Sequence, residues 1–69
     1  MTDIEYKEWK VLCHAVMVNF KPNGRKENAM LRDLDLKPAV ISKFKKDKYL
    51  TKKNTQAIYK WLTKFRLIK

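Results

Sequence analysis

The chain contains one cysteine, one glycine, one histidine, one serine and two prolines in 69 residues. The single Cys13 excludes an internal disulfide and any multi-cysteine zinc site, and an unpaired thiol suits a reducing compartment, so a cytoplasmic protein is expected. One glycine leaves no glycine-rich phosphate loop. With His14 and Ser42 alone of their types, there is no nucleophile–base constellation either, and no enzymatic activity is expected. Cys13 and His14 are adjacent on what reads as a helix, so they point about 100° apart and have no second ligand pair. Neither a metal nor any other cofactor is therefore expected. No apolar run approaches the roughly 18 residues of a membrane span, and the opening Met-Thr-Asp-Ile-Glu lacks the basic start and apolar stretch of a signal peptide. Membranes and small-molecule substrates are not expected partners.

Acidic residues are scarce in one half only. From Lys37 to Lys69 there are eleven Lys or Arg and one acid, Asp47, whereas residues 1 to 36 hold six of each sign, so the whole net charge of +10 lies in the second half. A cationic half joined to a neutral one suits a partner carrying a regular row of phosphates. Hydrophobic residues make up 45% of the chain and eight are aromatic, which is too apolar for a disordered polyelectrolyte. A chain this short supports only one core, because it buries only about 60% of its unfolded surface. Residues 1–69 therefore read as a single domain.

The apolar spacing is helical throughout. Thr2-Asp3-Ile4-Glu5 has the form of a capping box and should open a first helix running to about Phe20. Tyr6, Trp9, Leu12, Cys13, Val16, Met17 and Phe20 fall on one broad face of it, and Ile4, Val11, Ala15 and Val18 form a second stripe. Two stripes imply either that this helix is sandwiched between others, the preferred reading, or that one stripe meets another molecule. Lys21-Pro22-Asn23-Gly24 should break it, with Asn-Gly accepting positive φ and Asn23 capping the next helix. That second helix is expected to run to about Leu34. A third begins at Pro38, whose missing N–H costs nothing in a first turn. Lys45 to Tyr49 reads as a basic loop. Thr51 caps a fourth helix whose Ala57, Ile58, Trp61, Leu62 and Phe65 repeat at i, i+3, i+4, i+7. Phe65 to Lys69 is either a frayed helical end or one short strand. The expected fold is all-α, four or five helices around a central helix-turn-helix.

Met30, Leu31, Leu34, Leu36, Val40, Ile41 and Phe44 carry that motif: two short helices joined by a tight turn. On these residues the segment resembles the phage-repressor family of the lambda-repressor and Cro type, small all-helical DNA-binding domains. The family's apolar positions fall on Met30, Leu34, Leu36, Ile41 and Phe44, and its Val-Ser or Ile-Ser pair on Ile41-Ser42, beside Lys43. Two positions depart from the pattern, Leu31 where the family has a small residue and Asp35 where it often has glycine. The resemblance implies a cytoplasmic, sequence-specific regulator of transcription that binds double-stranded DNA through a recognition helix at about residues 38–46. Ala39, Ser42, Lys43 and Lys46 would then face base edges. Arg25, Lys26, Asn28, Lys37, Lys48, Tyr49, Lys52, Lys53 and Asn54 would hold phosphates on either side.

Two alternatives use the same residues differently. In a winged-helix register, residues 52–64 become the recognition helix, Lys53, Asn54, Gln56, Tyr59 and Lys60 read the groove, and Phe65-Arg66-Leu67-Ile68 forms the first wing strand. In the other, the chain is a small basic protein-interaction module, of the kind a mobile element encodes, that binds a host protein. A recognition helix covers only about half a turn of duplex, so a homodimer is also expected, joined through Ile4, Val11 and Val18 or through the Phe65 to Ile68 tail.

Overall fold

A computed structural model describes residues 2–22 and 24–68, and among these it forms four α-helices and no strand: α1 (Asp3–Met17), α2 (Arg25–Leu34), α3 (Pro38–Asp47) and α4 (Lys52–Lys64). The fold is all-α. The capping box at the start of α1 is formed in both directions, with the Glu5 N–H donating to Thr2 Oγ1 at 3.1 Å and the Thr2 N–H donating to Glu5 Oε1 at 3.4 Å. α1 stops three residues short of Phe20. Asn19 and Phe20 bond back only three residues, to the carbonyls of Val16 and Met17, so the helix tightens and ends as it approaches Lys21-Pro22.

The lone glycine is not used for positive φ. Gly24 caps α2 at φ −77°, its N–H donating to the Lys21 carbonyl at 2.9 Å. A Cβ there would lie 2.9 Å from that same oxygen, so close approach is what demands glycine. Asn23 lies outside the described residues, and so does its expected capping role. Left-handed backbone occurs instead at Asp35, Lys48 and Arg66, with φ between 53° and 57°, each just past the end of a helix. At Asp35 and Arg66 the paired bonds of a Schellman motif are present: Leu36 N–H to Leu31 carbonyl with Asp35 N–H to Arg32 carbonyl, and Leu67 N–H to Leu62 carbonyl with Arg66 N–H to Thr63 carbonyl. Asp35 thus takes the conformation for which glycine is usual.

One expectation is corrected here, and one open alternative is decided. Lys45, Lys46 and Asp47 form the last turn of α3, so the basic loop is reduced to Lys48 and Tyr49 before the strandless link to Thr51. Phe65 to Ile68 forms no strand, because the Schellman bonds fold it back over the end of α4; Lys69 lies outside the described residues.

α1 and α4 lie side by side and run in the same direction. Lys52 Nζ meets Asp3 Oδ1 at 2.6 Å at their N-terminal ends, and one turn or more further on the Trp9 and Tyr59 rings stack at 4.2 Å, 3° from parallel. The Tyr6 hydroxyl donates to the Leu50 carbonyl, and Trp61 Nε1 donates to Asp33 Oδ2 at 2.9 Å, tying α4 to α2. Cys13, Met17, Met30, Ile41, Phe44, Leu50, Ile58 and Leu62 form the fully buried centre, each side chain contributing about 1.5–3 kcal/mol. All seven apolar residues of the helix-turn-helix segment pack in or against it.

The sandwich expected for α1 is overturned. Ile4 is 72% and Val11 66% exposed, and Ala15 and Val18 are exposed with them. The two stripes lie on opposite sides of the helix, and the other three helices cover only the Cys13–Met17 side.

Candidate nucleic-acid interface

The inward face of α3 is set by Val40, Ile41 and Phe44, which leaves Ala39, Ser42, Lys43 and Lys46 at i, i+3, i+4 and i+7 on the opposite side. All four are exposed and form one strip along the helix. Pro38 opens this helix and Lys48 closes it, its N–H bonded to the Phe44 carbonyl at 2.9 Å. Lys43 Nζ stands 5.0 Å from the centre of the Tyr49 ring, so one base-facing candidate and one phosphate-facing candidate meet at the end of α3. Lys48 faces Lys10 and His14 across a dent of about 100 Å³ that also touches Val11. Lys10 therefore adds to the positive surface from α1, and no sequence signal pointed to it.

The candidate phosphate-binding residues do not gather in one place. Lys48, Tyr49, Lys52 and Lys53 surround the loop from α3 to α4, all exposed, and Lys37 caps α3 at its other end. Arg25 and Lys26 border a cleft with Trp61, Phe65 and Leu67, at the far end of α4 from Lys52. Asn28 is exposed one turn further along α2. Two members already have internal roles. The Asn54 N–H is held by the Thr51 hydroxyl at 3.1 Å, and Lys52 hydrogen-bonds to Asp3, holding that carboxyl below the usual carboxylate range.

Helix starts distinguish the basic half from α1. α1 begins with Asp3 and Glu5, as its dipole favours. α3 and α4 have no acid in their first turns; α3 begins on Lys37 and α4 on Lys52 and Lys53. Cations placed there oppose the dipole at a cost of roughly 0.3–1 kcal/mol each, and an approaching anion removes that conflict.

The residue that sequence spacing missed is Lys45. Four positions after Ile41, it turns inward and donates from Nζ to Glu27 Oε1 at 2.6 Å and to the Phe20 carbonyl at 3.3 Å. Glu27 precedes Met30 and Leu31 by three and four positions, the spacing of the buried face of α2, and that was the available signal. His14 Nε2 lies 3.3 Å from the Lys45 carbonyl, where as an N–H it caps the end of α3, and its ring meets Phe44 edge-on at 5.3 Å.

For the winged-helix register, α4 presents Lys53, Gln56 and Lys60 to solvent, but Tyr59 is stacked on Trp9 and Asn54 is half-buried. Its wing strand is not formed among the described residues. No helix among them is long and apolar enough to cross a membrane. Comparison with protein families, with curated proteins and with solved structures finds no match.

Proposed function

We propose that this chain is a sequence-specific, double-stranded-DNA-binding regulator of transcription, of the small stand-alone phage or plasmid kind, with α3 as its recognition helix. The observation that carries the reading is the strip Ala39, Ser42, Lys43 and Lys46: four exposed neighbours on a helix whose opposite face is fully engaged in the core. A helix so anchored offers a rigid polar face about the width of a major groove. Lys43 donates to guanine O6 and N7, Ser42 pairs with either partner of several base pairs, and Ala39 meets a thymine methyl. Lys37, Lys48, Tyr49 and Lys53 hold the backbone beside it, with Arg25, Lys26 and Asn28 further out. The lack of a wing strand among the described residues and the stacking of Tyr59 favour α3 over α4 as the reading helix.

Selection from random duplex DNA, followed by gel shift on the selected and on scrambled duplexes, tests the proposal. The expected result is a preferred site whose binding weakens with salt at about 0.9 log units per phosphate contact, for roughly six contacts. Equal affinity for every sequence would leave an architectural binder. No shift even at low salt would remove nucleic acid altogether and leave the basic protein-interaction module.

A further inference from the structure

The geometry points to a second copy of this chain as the occupant of the outer face of α1, in a two-fold pair with the two α1 helices parallel. Ile4, Val11 and Val18 recur every seven residues, with Ala15 between the last two, and Val18 still has right-handed helical backbone at φ −63°. All four are exposed on the side away from the core. Over the middle of this stripe lies an open hollow of about 450 Å³ lined by Lys7, Glu8, Val11 and Leu12.

Charge selects the partner. α1 has three acids against two lysines, whereas α3 has three lysines against one acid and α4 four lysines and no acid. In a chain of net charge +10, α1 is where a second copy meets the least repulsion. Charge also selects the orientation. At 100° per residue, Lys7 lies on one flank of the stripe and Glu8, with Glu5 beyond it, on the other. A two-fold axis parallel to the helices brings unlike flanks together, so Lys7 of one copy stands beside Glu8 of the other, twice. An antiparallel pair would bring like flanks together. The contact does not depend on the chain binding DNA.

Size makes the pair weak. Fifteen residues of α1 give a strip about 22 Å long and about 10 Å wide, well below the roughly 800 Å² per partner of a standard interface. Dissociation is therefore expected near about 0.1–1 mM. Sedimentation equilibrium of the intact chain, in moderate salt and without DNA, from about 20 μM to about 2 mM should show average mass rising from monomer toward dimer. Val11→Asp should keep its helical circular dichroism and remain monomeric throughout. Lys7→Glu and Glu8→Lys should each weaken the pair about tenfold, and the double swap should restore it. A wild-type monomer across the whole range, or dimerisation indifferent to Val11→Asp, would overturn the assignment. Failure of the double swap to restore what the single swaps remove would overturn the parallel arrangement.

Discussion

Lys45 Nζ lies 2.6 Å from Glu27 Oε1, with the two side chains only 21% and 9% exposed, and the same ammonium reaches the Phe20 carbonyl. One cation on α3 thereby holds the turn after α1, the start of α2 and its own helix in a fixed relation. Its neighbour Lys46 projects into solvent from the strip proposed to read DNA. Of two adjacent lysines, one organises the support and the other the surface.

Removing Lys45 should accordingly be costly. Lys45→Ala leaves the Glu27 carboxylate poorly solvated and is expected to destabilise the fold by about 2–3 kcal/mol, less than for a fully buried pair because Lys45 keeps some contact with water. Lys46→Ala should change stability by less than about 0.5 kcal/mol. Urea denaturation of the two variants checks this.

The left-handed residues predict the opposite sign. Asp35→Gly and Arg66→Gly should each raise the urea midpoint, by about 0.5–1 kcal/mol in stability, because glycine adopts these φ values without a Cβ clash. Gly24→Ala should instead destabilise by more than about 1 kcal/mol, since the new methyl would meet the Lys21 carbonyl oxygen at 2.9 Å. A stabilising Gly24→Ala would show that the turn before α2 gives way easily.

Cys13 should be chemically silent in the folded chain. It is fully buried, and burial pushes its thiol from 9.0 up to about 12. A thiol-specific reagent at pH 8 should label it only as fast as the chain opens, and promptly in denaturant. The raised value also sets a pH window. The folded state keeps a proton that the unfolded state releases above about pH 9, so this contribution is intact below pH 9 and declines progressively from there toward pH 12. Cys13→Ala should flatten that part of the stability profile.

On a selected duplex, Lys43→Ala should lose about 1–3 kcal/mol of affinity and relax the preference at one base position. Lys53→Ala should weaken all sequences alike and lower the salt slope by about one unit. Lys60→Ala should have little effect. If Lys60 mattered and Lys43 did not, α4 would be the reading helix.

Much of this fold was legible along the chain because helix ends are local events. Thr2 with Glu5, Pro38 and Thr51 mark three starts, each through bonds or φ limits within a few residues of themselves. Two finer expectations failed, one at a helix end and one in the lysine run. Phe20 keeps the helical spacing of α1, yet the bonds there reach back three residues instead of four as the chain nears the proline. Lys45 belongs to a lysine run that looks solvated, and its carboxylate partner is eighteen positions away. For Phe65 to Ile68 the sequence left a frayed end and a strand both open, and the Arg66 turn, which bends the segment back over α4, decides against the strand.

By itself, then, the order of residues determined where helices begin, which positions share a face, and that the net positive charge lies in the second half, since periodicity and charge are properties of neighbours along the chain. Only the tertiary structure decided which α1 stripe is enclosed, that Lys45 points inward and Lys46 outward, and that Arg25 and Lys52 stand at opposite ends of α4. A helical wheel gives angles between side chains, but burial depends on which distant segment arrives on each side, and that is settled when the helices pack.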